Sequence, residues 1–328
     1  MKAKGVIGVF LAWVVIFAIF VILTRIGNDH PVPIMENFEL MMRQGLIVGL
    51  GAIGMSYVIM TGGIDLSPGS TIALTTVVVG LVLKATNNPY LGIGASILVG
   101  LLAGLINGIL VAKLKVGPFI VTLASMLIIR GVAKGFAHEQ TVSSVPDTWI
   151  RAFTASLDRN KGEAIQMIPK GAWVWVVLLI LMTWILHRTV FGRNVVAVGS
   201  NEKTARLCGI NVNFVKVGVY SICGIFAGIA GLMQVSRVGI GDPTIAAGDE
   251  LKMIAAVVIG GGSLLGGEGN LIGAAFGTLI MTTINMAASQ LGIANWIQEI
   301  VTGLIIVVAV ALDRYRMTRP AKIAIEAV

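Results

Sequence analysis

The chain has 328 residues, of which 12% are charged and 56% hydrophobic, with 41 glycines besides. A soluble domain carries about 25% charged residues, so there is too little polar side chain here to cover a water-facing surface. A formal net charge of +8 fits the Lys/Arg excess of loops on the cytoplasmic side of a membrane, and nucleic-acid binding is set aside.

Ten stretches lack Asp, Glu, Lys and Arg: 5–24, 44–64, 66–83, 85–112, 116–129, 171–187, 217–236, 253–267, 269–298 and 300–312. A spanning helix needs about 20 mostly apolar residues, so the reading is an all-α polytopic membrane protein of ten transmembrane helices. The whole of 1–328 forms one transmembrane domain. The first run follows Lys2 and Lys4, but its apolar core is too long for a signal peptide and no small-residue cleavage site follows. It reads as an uncleaved span. Placing the N-terminus inside gathers the Lys/Arg excess on that side, so both termini are expected in the cytoplasm. The segment 137–170 is then external and polar, and 188–216 is cytoplasmic and basic.

Catalytic equipment is missing. No Gly-Lys dipeptide occurs, so there is no phosphate-binding loop of the G-x-x-x-x-G-K-[ST] type. Cys208, Cys223, His30, His138 and His187 are scattered, so neither a disulfide framework nor a metal centre is expected. Gly49, Gly51 and Gly54 lie inside an apolar run and read as helix packing. So do Gly100, Gly104 and Gly108, Gly224 with Gly228, and Gly273 with Gly277. Acids deep in the spans are scarce, Asp65 and Glu299 being the nearest. That scarcity argues against an ion-coupled secondary carrier, which keeps such charges for a purpose.

Four segments carry the functional reading. In 58–70, Gly62 and Gly63 interrupt the second span, and Ser67 before Pro68 reads as an N-cap and first helical residue. Asp65 sits near the positive end of that helix. Asp65 and Ser67 either cap a helix or offer polar groups to a solute. In 117–131, Thr122 and Ser125 either bond back to their own helix or line a polar path. Asn107 and Asn285 are open to the same two readings. In 191–212, Ser200 is expected to cap a short helix over 201–208, ended by Gly209. Lys203 and Arg206 would face outward, with Ala205, Leu207 and Cys208 packed. That helix serves either as an interfacial element on anionic lipid or as a docking helix for a cytoplasmic partner. In 258–270, a glycine-rich segment echoes 58–70 at an offset of 200, as Gly62 with Gly262 and Gly69 with Gly269. This is a candidate internal repeat.

Together these segments resemble the permeases of ABC importers for simple sugars, the ribose, xylose, arabinose and autoinducer-2 type. The matching stretches are Gly62 to Gly69 (with Pro68 in place of Val), Pro118 to Gly131, Phe191 to Ile210, and, in part, Glu250 to Gly269. Lys252 stands where that family usually has Asp, and Gly262 where it has Thr. Ser200, Thr204 and Cys208 replace Gly, Ala and Ser.

The resemblance implies a permease of the larger importer type, working as a dimer in the bacterial inner membrane. An ABC ATPase with two nucleotide-binding domains, using ATP-Mg, would bind inside. A periplasmic sugar-binding protein would dock outside. The chain itself holds no cofactor and catalyses nothing. The ATPase-coupling residues would be Gly192, Arg193, Asn201, Glu202, Ala205, Arg206 and Gly209. The substrate path would draw on Gly62, Gly63, Asp65, Ser67, Asn107, Thr122, Ser125 and Asn285, and the binding protein would meet Asp242, Asp249 and Glu250. A permease for branched-chain amino acids is the related alternative.

Overall fold

The computed structural model describes residues 3–27, 33–114, 116–143, 145–154 and 168–318. The chain is folded as α1 (Ala3–Gly27), α2 (Ile34–Met60), α3 (Pro68–Thr86), α4 (Pro89–Leu114), α5 (Pro118–Phe136), α6 (Lys170–Arg188), α7 (Val190–Ser200), α8 (Glu202–Leu207), α9 (Val212–Val238), α10 (Asp249–Ile259), α11 (Leu271–Gln290) and α12 (Asn295–Thr318). A short 3₁₀ helix spans Trp149–Phe153. Among the described residues there is no strand, only a two-residue bridge between Val142 and Gly241. Nine helices among the described residues are long and apolar enough to cross a membrane, so this is an all-α, multi-pass membrane protein. The chain ends and residues 155–167 of the expected external segment lie outside the described residues.

The run 253–267 does not become a full span. It holds α10, 11 residues long, and 11 residues rise about 16 Å, half the hydrocarbon core of roughly 30 Å. After Ile259 the chain turns through Gly261, Gly266 and Gly267, at φ of +90°, +85° and +78°. A side chain resists that backbone region, so the glycines end the helix there. Several spans run past the charge-free stretches, α2 and α5 among them. Helix α2 starts at Ile34, well before residue 44, because Arg43 and Glu39 pair along its face at 2.6 Å and both are nearly buried. Helix α5 continues past Arg130 and Lys134 to Phe136.

The core is built around α2 and α9, with Leu50, Met55, Tyr57, Val219, Tyr220 and Cys223 almost fully enclosed. The α4–α9 seam is the most extensive helix pair, and glycine makes it so. A Cβ at Gly100 would stand 2.9 Å from the Gly224 carbonyl carbon, and one at Gly104 3.0 Å from Ser221 Cα. Gly273 and Gly277 likewise let α11 close on Gly260 and Ala256 of α10. The helix-packing reading of these glycine pairs therefore holds. Gly51 admits Met253 of α10, and Gly54 the Cys223 backbone of α9. Helix α1 stands against α11 with Phe10 and Phe276 at 5.2 Å.

Candidate functional site

Two non-helical segments reach into the helix bundle, and a third, helical segment sits on one end of it. The first joins α2 to α3. Asp65 is 1% exposed. Its Oδ1 accepts from the Ser67 amide (2.9 Å) and the Ser67 hydroxyl (2.7 Å). Asn107 Nδ2 of α4 donates to the same hydroxyl oxygen at 2.8 Å, and the Cys223 thiol of α9 lies close to Asp65. Thr122 Oγ1 of α5 and Tyr220 Oη of α9 both donate to the Ile64 carbonyl, at 3.2 and 3.4 Å. This knot satisfies a loop held away from water, as irregular backbone at membrane depth requires. Ser67 does occupy the position before α3, with Pro68 following. It does not cap as expected: its backbone is already helical (φ −83°, ψ −16°) and its hydroxyl serves Asp65 and Asn107 instead.

The second segment, 239–248, leaves the end of α9 and turns back into the bundle. Gly241 lies against Thr76 and Val77 of α3, and Ala246 against Gly69, in the first turn of α3. Arg130 of α5 fixes this descent, its Nη1 donating to the carbonyls of Pro243 (3.0 Å) and Ile245 (2.7 Å). Arg130 falls within the matched segment 117–131 but was given no role there. A guanidinium just past an apolar run is the signal that could have marked it. Because the segment re-enters, α10 starts about halfway along α2, with Met253 meeting Gly51. Asp249 and Glu250 are therefore not on an outer surface, as a docking role would need. Glu250 is buried against Gly69, and Asp249 pairs with Lys252 at 2.8 Å. Asp242 holds the turn, accepting from the Thr244 amide and hydroxyl. The expectation that deep acids are scarce is corrected in part: besides Asp65, named there, Glu250 is buried and Asp249 is partly buried at the start of α10.

The third segment is α7–α8. The short helix is Glu202–Leu207, and its cap is Asn201, whose Oδ1 accepts from the Thr204 amide at 3.0 Å. Ser200 instead ends α7, a helix that no charge-free run marks. Gly209 ends the segment at φ +83°, as expected. Ala205 is buried, but Leu207 is 88% exposed and Cys208 is exposed, so the last two do not pack inward. Arg193 and Arg206 are also exposed. Glu202 binds Lys216 of α9 at 2.8 Å and Arg206 at 3.3 Å. The Lys216 ammonium beside it, helped by Arg206, holds the Glu202 carboxyl below its usual range. Gly192 sits on the Leu186 carbonyl, and Gly199 packs on Met60 O and the Gly267 amide. The Gly267 amide donates to Met60 O at 2.9 Å. So α7 bears directly on the end of α2 and on the 260–270 loop. The two segments read as a candidate repeat touch here, Gly266 lying against Gly62. They follow helices of unequal length, 27 and 11 residues.

A cavity of about 780 Å³ lies between α2, α9, α10, α11 and α12. Of the expected path residues, Asn285 lines it. Asp65, Ser67, Asn107 and Thr122 line none of the cavities described here and are joined in the α2–α3 knot. Gly63 lies in that knot beside the Tyr220 hydroxyl, and Ser125 is buried one turn above Thr122.

Membrane-length helices interrupted by irregular segments inside the bundle, with a polar helical segment on one end of it, suit a membrane permease. The chain belongs to the family described as branched-chain amino acid transport system / permease component, whose profile matches residues 37–310. It is 36% identical to the ribose import permease protein of Escherichia coli over 281 residues, 85% of each chain. The ribose import permease protein of Bacillus subtilis is 36% identical over 91% of this chain and 90% of its own. The L-arabinose transport system permease protein of Escherichia coli is 35% identical over 92% and 89%.

Proposed function

We propose that this chain is the membrane subunit of an ATP-driven importer for a simple sugar, nominally ribose. It sits in the bacterial inner membrane with both termini cytoplasmic and works as a dimer. A partner ATPase with two nucleotide-binding domains hydrolyses ATP-Mg, and this chain catalyses nothing. A periplasmic sugar-binding protein delivers the solute. The observation that carries the reading is the extent of similarity to ribose and arabinose permeases, over more than four-fifths of the chain.

Coupling rests on α7–α8. The exposed Leu207 next to Arg206 on α8, with the exposed Arg193 on α7, supplies an apolar contact and positive charge suited to an acidic groove on an ATPase. Displacement of α7 would press Gly199 on the end of α2 and on the 260–270 loop, which leads into α11. That is a short mechanical route from the docking surface to both breaks. Branched-chain amino acids are the second reading, because the family's own description names them. The test is uptake into proteoliposomes holding this permease with its ATPase and binding protein, against labelled ribose, xylose, arabinose and leucine. ATP-dependent uptake of a sugar supports the proposal. Uptake of leucine alone selects the second reading. Uptake that needs an ion gradient and ignores ATP overturns both.

A further inference from the structure

The cavity between α2 and the α9–α12 arm has a lining that packing alone does not explain. Its volume, about 780 Å³, falls within the range of small-molecule sites, roughly 300–1,000 Å³. Five carboxamides line it: Gln44, Gln234, Asn285, Asn295 and Gln298. Its lining runs from Asn295, the first residue of α12, to Ile306 midway along that helix, so it occupies the half of the bundle away from α8. Gln234 is 3% exposed, and its amide oxygen has no hydrogen-bond partner. A buried amide oxygen left unpaired costs about 1–3 kcal/mol. Beside this cavity, that oxygen is placed to accept from a hydroxyl donor.

The charges around the cavity narrow the chemistry. Arg237 and Lys252 face it, and so do Asp249 and Glu299, two of each sign. Lys252 is already bound to Asp249 at 2.8 Å. That pairing takes one charge of each sign out of play and leaves Arg237 and Glu299, which balance each other in net charge. An ionic solute would need a surplus of the opposite sign, and there is none. Carboxamides both donate and accept, as hydroxyls do, so a neutral molecule bearing several hydroxyls is the chemical match.

We infer that this cavity is a solute-binding site for a neutral polyhydroxylated molecule, and that each permease chain carries its own. The inference rests on the sugar-import reading and locates within it where the permease itself holds the solute. Gln234 and Asn285 engage hydroxyl groups. The Lys252–Asp249 pair sets the floor of the site at mid-depth.

The test uses the full importer in proteoliposomes. In a Cys208→Ser background, Asn285→Cys is labelled with a membrane-impermeant thiosulfonate, with and without millimolar ribose, xylose or arabinose. Tyr90→Cys, far from the cavity and well exposed, is the control. At least one sugar is expected to slow labelling of Asn285→Cys fivefold or more and to leave Tyr90→Cys unchanged. Gln234→Leu is expected to lower sugar imported per ATP hydrolysed about tenfold while binding-protein-stimulated hydrolysis continues. Continued hydrolysis also shows that the variant is folded. Uptake of a sugar with no protection of Asn285→Cys and an unchanged sugar-to-ATP ratio in Gln234→Leu would overturn the site and leave the importer reading standing. Absence of sugar uptake, with leucine carried instead, would overturn the importer reading and the polyol site with it.

Discussion

Helix α4 contains a matched pair of glycines that tests the packing argument with one chemical change. Gly104 faces α9, where an added Cβ would stand 3.0 Å from Ser221 Cα and closer still to the Tyr220 carbonyl oxygen. Gly94 has nothing within 4 Å. Carbon contacts are optimal near 3.5–4.0 Å, so Gly104→Ala forces the seam apart by roughly 0.5–1 Å, which forfeits a quarter to a half of each contact's well. Over a patch the size of one buried Leu, with about 40–60 contacts at 0.1–0.2 kcal/mol, the loss is on the order of 2–3 kcal/mol. Alanine returns about 1 kcal/mol of helix propensity, leaving Gly104→Ala destabilised by about 1–2 kcal/mol. Gly94→Ala keeps the propensity gain and pays no packing cost. The two variants should therefore differ by about 2–3 kcal/mol with opposite signs. Cys223, buried on α9 one residue before the seam glycine Gly224, reports the result. In a Cys208→Ser background, the temperature at which Cys223 becomes reactive to a thiol dye should fall for Gly104→Ala and hold or rise for Gly94→Ala. Equal shifts for the two would refute the claim that close backbone approach sets the stability of this seam.

Arg130→Gln removes the guanidinium that holds Pro243 and Ile245; at about 1.5–3 kcal/mol per charged hydrogen bond, labelling of Pro243→Cys, a buried position, should quicken at least tenfold and uptake should fall. Ser67→Ala cuts the link between Asp65 and Asn107, and the melting temperature should drop by an amount matching about 1–3 kcal/mol; an unchanged melt would show that the knot is not structural. Arg193→Glu with Arg206→Glu should abolish co-purification of the ATPase and sugar uptake while the permease still folds; retained association would refute the docking role of α8. The Glu202 carboxyl is depressed in the folded state, so its contribution is present above the unfolded carboxylate pKa and is lost only as pH falls through the lower folded value. Amide protection of α8, corrected for intrinsic exchange, should then be equal at pH 7 and pH 5.5 and lower at both in Glu202→Gln.

Composition settled the class of this protein. A chain with 12% charged residues has no route to a folded state in water, and its apolar runs place nearly all the spans. The glycine pairs were readable for the same reason: a missing side chain at every fourth position has one consistent use, the close approach of another helix. Gly209 and Pro68 were legible because their backbone constraints are local. What stayed hidden was decided by partners distant in the chain. Asn201 rather than Ser200 became the cap because α7 runs on through Ser200. Helix α2 reached back to Ile34 because Glu39 and Arg43 neutralise each other along one face, whereas a count of charges treats each as an end. Asp65 and Ser67 read either as cap or as path residues, and the fold joined them in a knot once Asn107, Tyr220 and Cys223 arrived from α4 and α9. Asp249 and Glu250 read as surface acids, and they lie at mid-depth because Arg130 and Gly69 let the chain after α9 fold back into the bundle. The cavity is the furthest from the sequence, since its lining is gathered from five helices and no spacing along one of them announces it. Local backbone rules and solvent preference act residue by residue and can be read in order; burial depth and pairing belong to residues that meet only when the helices pack.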